Sequence, residues 1–151
     1  MSDADWAVKH STSGFVFTMS KAAISWGSKK QPTIALSSCE SEIMAASEAA
    51  KEAVYLRRFA AELDPSTIVG PTDLHADNQA AIDLSYNPEH HQRSKHIDRR
   101  HFFIRECVEN MQLSVPYVNT ADNLADFFTK PLDSKQFFAM RRIIMNEPAH
   151  D

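Results

Sequence analysis

Pro71-Thr72-Asp73-Leu74-His75-Ala76-Asp77-Asn78-Gln79-Ala80-Ala81-Ile82 holds a strand, an acid and a helix start in one short run. Residues 71–77 read as a short strand and Asn78 to Ser85 as a helix, which Asn87-Pro88 stops. In an open α/β sheet, functional groups gather where strand ends give way to helix starts. Asp77 stands at such a point.

The flanking sequence repeats the alternation. Upstream, Ser2 to Ala7 and Gly14 to Met19 read as strands, and Ala22 to Trp26 as a hairpin partner across Ser20-Lys21. Gln31-Pro32 breaks that pattern. Ser37 and Ser38 are N-cap candidates for a long helix, with Glu40 and Glu42 in its opening turns. Glu42, Ala46, Ala49, Ala53 and Leu56 share one face, and the three alanines let the helix approach a sheet closely. Asp64-Pro65-Ser66 ends it. Downstream, a loop becomes a helix over roughly Ile97 to Asn110, Leu113 to Val118 is a strand, and Thr120 caps a helix over Ala121 to Lys130. A last amphipathic segment runs from Ser134 to Met145. Trp6, Trp26, Phe15, Phe17, Phe102, Phe103, Phe137 and Phe138 are expected in the core.

A chain of 151 residues is the usual size of one domain. Three glycines leave no room for a phosphate-binding Gly-rich loop, and no apolar run approaches ~18 residues, the length that spans a membrane. The N-terminus lacks a signal-peptide apolar region. Cys39 and Cys107 lack metal-like spacing, which makes a reducing compartment the default. The net charge of −4 is unusual for a nucleic-acid binder, but its distribution matters more than its sum. Arg93, Lys95, Arg99, Arg100 and Arg105 face only Glu89 and Asp98 within residues 86–105, so an acidic chain carries one basic stretch. That stretch reads either as a solvated helix face or as a phosphate contact. Its histidines suggest zinc through His91, His96, His101 and Cys107, but the Cys pair typical of a structural zinc site is missing.

Four acids stand out by position: Asp3 in the first strand, Glu42 on the long helix, Asp77, and Asp126 after the last strand. Carboxylates gathered at one place repel unless cations neutralise them, and oxygen donors suit Mg²⁺ or Mn²⁺. Two such ions activate a water and stabilise the leaving oxygen of a phosphodiester. The chain has twenty acids, most of them expected on the solvated surface. By composition Asp73, Asp83, Glu48 and Asp122 look no different.

Motif context separates them. Ser2-Asp3-Ala4-Asp5-Trp6, Ser11-Thr12-Ser13-Gly14, Ile24-Ser25-Trp26, Lys29-Lys30-Gln31-Pro32 and Glu40-Ser41-Glu42-Ile43-Met44-Ala45 come first. Then follow Ala76-Asp77-Asn78-Gln79-Ala80-Ala81-Ile82, Arg93-Ser94-Lys95-His96-Ile97-Asp98, Asn123-Leu124-Ala125-Asp126 and Thr129-Lys130-Pro131-Leu132. In this order, across almost the whole chain, they resemble the RNase H domain of copia-type LTR retrotransposon Pol polyproteins.

The resemblance implies an α/β chain with the RNase H-like fold, a five-stranded mixed sheet flanked by helices, over residues 1–132. A helical tail follows over 133–151. It implies Asp3, Glu42, Asp77 and Asp126 as catalytic residues and ligands of two Mg²⁺, with Mn²⁺ as substitute. Asp5 rivals Asp3, because it lies two residues on along the same strand face. Asn78 and Gln79 are expected either to cap a surface helix or to reach 2′-hydroxyls and base edges in the minor groove. Arg93, Lys95 and Arg99 are expected on phosphates. The implied partners are an RNA/DNA hybrid and the reverse transcriptase domain of the same polyprotein, without a membrane, in a cytoplasmic virus-like particle.

The resemblance also frames alternatives. One is a catalytically silent remnant that folds and binds nucleic acid or a polyprotein neighbour. A strand-transfer enzyme of the related integrase group orders its acids as two Asp and then Glu, unlike the Asp, Glu, Asp, Asp found here. The family's hairpin after the first tryptophan is longer than Ala7-Val8-Lys9-His10. Its central first strand also has more residues before the acid than Met1 and Ser2, so unpaired ladder groups and unfilled core volume are expected beside it. Asn119-Thr120-Ala121-Asp122 holds no histidine, which removes one proton-transfer group found in many RNases H.

Overall fold

A computed structural model describes residues 1–5, 10–86 and 95–147; the side chains of Asp3, Asp5, Leu84 and residues 95–98 lie outside the description. Trp6, His90, His91 and Arg93 fall in the segments not described.

Strand β1 (Ser2–Asp5) pairs antiparallel with β2 (Thr12–Met19), which pairs antiparallel with β3 (Ala22–Lys30). Ser20 and Lys21 turn the β2–β3 hairpin with φ of 51° and 68°. Two consecutive positive φ values match the twist of the flanking strands. Helix α1 (Ser38–Leu63) starts where the Ser37 hydroxyl accepts the Glu40 N–H at 3.2 Å. It ends at Asp64, whose backbone turns extended ahead of Pro65. Strand β4 (Thr72–Asp73) runs parallel to β5 (Leu113–Ser114), and an isolated bridge from Ala76 to Tyr117 prolongs the pairing. Helices α2 (Gln79–Tyr86) and α3 (Lys95–Glu109) lie between these two strands in sequence, and α4 (Ser134–Met145) follows β5.

The class is mixed α/β, as expected; among the described residues the strands form two small sheets, and the expected five-stranded sheet is not seen. One is three-stranded and antiparallel, the other two-stranded and parallel. Among the described residues a single backbone hydrogen bond, Ser2 N–H to the His75 carbonyl at 3.1 Å, ties them. The reason lies along β4. Thr72, Leu74 and Ala76 donate toward the β5 side, to the carbonyls of Gln112, Ser114 and Pro116. Asp73 and His75 therefore face β1, which meets this line through the Ser2 N–H. The His75 N–H has no backbone partner among the described residues.

This mismatch leaves space. On one face of the gap between β2 and β4 lies a cavity of about 310 Å³ bounded by Met1, Val16, Thr18, Asp73, His75 and Leu124. On the other lies one of about 230 Å³ bounded by Phe17, Ala53, Leu56, Arg57, Val69 and Thr72. At the end of the gap the Met1 amine donates to the Val16 carbonyl at 3.1 Å, and burial pushes its pKa down to about 5.

The main core lies between α1 and the sheets. Ala46, Ala49 and Ala53 are buried there against Phe17, Leu74 and Leu113, as the alanine face foretold. A second cluster, Val16 with Leu124 and Met140, lets α4 pack back onto the body. Four aromatics expected in the core are exposed. Trp26 sits on edge strand β3. Ile104 and Cys107 take the inner face of α3, which turns Phe102 outward beneath the Arg105 guanidinium. Met140 and Ile144 do the same on α4, leaving Phe137 and Phe138 exposed.

The expected helix over Ala121 to Lys130 is instead two 3-10 turns, Thr120–Asp122 and Leu124–Phe128. Asn123 breaks it. Its backbone is extended at φ −76°, ψ 99°, and its side chain caps the second turn by accepting the Ala125 N–H.

One outcome is expected. A β-prone apolar extension ahead of Met1 should raise the urea midpoint above that of an equally long Gly/Ser extension. Equal midpoints would show that the gap needs no strand.

Candidate active site

Glu42 lies one turn into α1 and is buried. Its Oε1 accepts the Ala4 N–H of β1 at 3.2 Å, which pins the start of the helix to the first strand. Gln31, read from sequence only as part of a break, is buried beside it. Its Nε2 donates to Ser13 Oγ and to the Ser41 carbonyl, both at 2.9 Å. Gln31 thus locks β2 to the same turn of α1.

Asp3 lies in β1 opposite Gly14, and Asp5 opposite Thr12. Their side chains are outside the description, so Asp3 and Asp5 stay open as rivals. Gly14 explains how closely the next element approaches. A Cβ there would meet Thr129 Cγ2 at 2.6 Å, Phe128 Cβ at 3.0 Å and the Ala125 carbonyl at 3.1 Å. Only glycine admits the turn that carries Asp126 this near to β2.

Asp126 is 1% exposed. Its Oδ2 meets Lys130 Nζ at 2.8 Å, and its buried Oδ1 has no hydrogen-bond partner among the described residues. A buried acceptor left unmet costs about 1–3 kcal/mol. The turn is held by Asn123, which is fully buried and donates through Nδ2 to the Ser2 carbonyl at 3.0 Å. Sequence reasoning took Asn123 only as part of a motif, and it missed the Lys130 contact. A separation of four between Asp126 and Lys130 was the signal available for the latter.

Asp77 is half-buried just past the Ala76–Tyr117 bridge, at the strand end where it was expected. Asn78 acts as the cap of α2, its Oδ1 accepting the Ala81 N–H at 3.1 Å, while exposed Gln79 donates to Asp83 at 2.9 Å. Arg99 is exposed on α3, the Lys95 side chain is outside the description, and Arg93 lies in a segment not described. Cys107 is a core residue whose thiol pKa is raised by burial and then by Glu106, so a zinc set through it would have to dismantle the core. Beside the β2–β4 gap, burial and then the Met1 ammonium lower the pKa of His75, against an opposing pull from Asp73.

Two buried carboxylates and one half-buried carboxylate therefore stand at the first helix, the turn after β5 and the end of the β4 line. Among the described residues no three His, Cys, Asp or Glu side chains form a ready-made metal cluster. The donor chemistry still fits a hard divalent cation: all donors are oxygens, and the orphaned Oδ1 of Asp126 is a buried acceptor lacking a donor.

No family model matches the chain. It is 40% identical over 149 residues to the Retrovirus-related Pol polyprotein from transposon TNT 1-94 of Nicotiana tabacum, covering 94% of this chain and 11% of that protein. It is 37% identical over 140 residues to the Retrovirus-related Pol polyprotein from transposon RE1 of Arabidopsis thaliana, covering 90% and 10%. The Secreted RxLR effector protein 161 of Plasmopara viticola is 56% identical over 59 residues, 36% of this chain and 42% of that protein.

Asn123→Ala should lower the folding free energy by about 2–4 kcal/mol in urea unfolding, because the Ser2 carbonyl and the Ala125 N–H both lose their partner. A loss under about 0.5 kcal/mol would show that the amide does not hold the turn. Over nine-tenths of its length the chain is a homologue of a segment, about a tenth, of retrovirus-related Pol polyproteins from plant transposons.

Proposed function

We propose that the chain is the ribonuclease H domain of a copia-type retrotransposon polyprotein, with the RNase H-like fold, and that it hydrolyses the RNA strand of an RNA/DNA hybrid. The observation that carries this reading is Asp126, a buried carboxylate with one oxygen unmet, on a turn packed against the sheet beside β1. Burial of this kind is costly for stability and makes sense where a cation completes the shell. The similarity to Pol polyproteins supports the setting.

Asp3, Glu42, Asp77 and Asp126 would hold two Mg²⁺, with Mn²⁺ as substitute. When bound, such ions lower the pKa of a water and stabilise the leaving oxygen. The chain's own part is positional. The Ala4 N–H orients the Glu42 carboxyl. The Asn123 amide keeps the Asp126 turn against β1. Asn78 is already committed as a helix cap, so of the two minor-groove candidates Gln79 is the more accessible. Arg93, Lys95 and Arg99 would meet phosphates. The partners in this reading are the hybrid and a reverse transcriptase domain of the same polyprotein, within a cytoplasmic virus-like particle.

The rival reading, a silent remnant that still folds and binds nucleic acid or a polyprotein neighbour, draws on the gap between β2 and β4. A first strand held along only part of its neighbours positions a ligand poorly.

A labelled RNA/DNA hybrid decides between them. Cleavage should require Mg²⁺, and Asp77→Asn should reduce it by ~100-fold or more while shrinking the Mg²⁺-induced rise in melting temperature. A variant that cuts as well as the parent would remove Asp77 from the mechanism. A parent that never cuts, with or without Mg²⁺, would favour the remnant.

A further inference from the structure

Lys130 follows the Leu124–Phe128 turn and precedes Pro131. Its backbone N–H donates to the Asp126 carbonyl at 3.3 Å, and that of Thr129 donates to the same carbonyl at 3.2 Å. The main chain is thus closed on Asp126 from below. The side chain then curls over so that Nζ reaches Oδ2 at 2.8 Å. The two partners sit in different surroundings: the Asp126 side chain is 2% exposed and that of Lys130 is 35% exposed. The cation has a route to solvent and the anion has none. Of the two Asp126 oxygens the ammonium meets Oδ2, while Oδ1 stays unmet among the described residues.

We propose that Lys130 is a built-in counter-cation for Asp126, neutralising the carboxylate when no divalent ion is bound and yielding it when one binds. The inference rests on the reading of Asp126 as a metal ligand. An ammonium and a divalent ion on one carboxylate repel each other strongly at such separations, so both cannot keep full occupancy. A lysine suits this exchange better than an arginine. It is a point charge on a flexible stem, whereas a guanidinium fork would grip both oxygens at once. Lys130 is therefore a positioning residue that competes with metal. Its removal should tighten metal binding, the opposite of what loss of a structural contact predicts.

The test is Mn²⁺ binding to the full chain, followed by water-proton relaxation, for the parent, Lys130→Met, Lys130→Arg, and Lys130→Met combined with Asp126→Asn. Lys130→Met should bind Mn²⁺ roughly fivefold tighter than the parent, the scale of one partly exposed ion pair. Lys130→Arg should bind more weakly than the parent, and the double variant should lose the gain. Melting temperature supplies a second readout. Without metal, Lys130→Met should melt below the parent, and it should gain more from Mn²⁺. If Lys130→Met is unfolded without metal, the Lys130→Arg comparison carries the test alone. Equal or weaker affinity in Lys130→Met, or an unchanged affinity in Lys130→Arg, would make the ion pair merely structural and overturn the inference while leaving the metal reading intact. Absence of Mn²⁺ binding in every chain would overturn both.

Discussion

The amide of Asn123 joins parts of the chain more than a hundred residues apart. Its Nδ2 holds the Ser2 carbonyl of the first strand, and its Oδ1 accepts the Ala125 N–H of the turn carrying Asp126. Both bonds are buried, so neither group has water as a substitute. The backbone conformation that lets the side chain do this is extended, and it interrupts what would otherwise be a helix. Loss of a helical turn is therefore the structural cost of anchoring the acid. Gly14 completes the arrangement, because the turn lies where any side chain on that strand would stand. One amide and one missing Cβ together set where Asp126 sits.

The same economy governs Glu42. Three alanines bring α1 close to β1 and β2, and this closeness buries an acid near the helix start. The acid then takes the Ala4 N–H as a partner, so a functional group also serves as a tie between helix and strand. Gln31 stitches β2 to that same turn from the other side. Buried polar groups stabilise little in net terms, but an unsatisfied one is expensive, and this asymmetry selects one register over its neighbours.

Local signals in the sequence carried the elements whose identity depends on local chemistry. The Ser37 cap, the alanine face of α1 and the Asp77 strand-to-helix junction were all legible for that reason. Asn123 was not, because propensity and spacing over Ala121 to Lys130 favour a helix, and the partner that overrules them is the Ser2 carbonyl at the other end of the chain. The exposed positions of Trp26, Phe102, Phe137 and Phe138 were misjudged for a related reason. Hydrophobicity marks a residue as suited to a core, but the inner face of each helix was already taken by Ile104, Cys107, Met140 and Ile144. The acids Glu42 and Asp126 emerged as buried, while the set to which Asp3 or Asp5 belongs rests on motif context.

The gap between β2 and β4 shows how the sheet and the site are coupled. Ladder groups of β4 that face β1 alternate with those that face β5, so the parallel pair forms without needing the first strand. The antiparallel sheet likewise closes through the β2–β3 hairpin. Each half is therefore locally satisfied, and Ser2 N–H, the Asn123 amide and the Glu42 carboxyl are three ties that carry β1 across to its other neighbours. Two of these three ties belong to residues at or beside the acids. Strengthening the seat of β1 thus tightens the carboxylate positions, and loosening it relaxes both together. The stability of the first strand and the geometry of the acids are in this way one quantity, set by how completely the backbone on either side of β1 is paired.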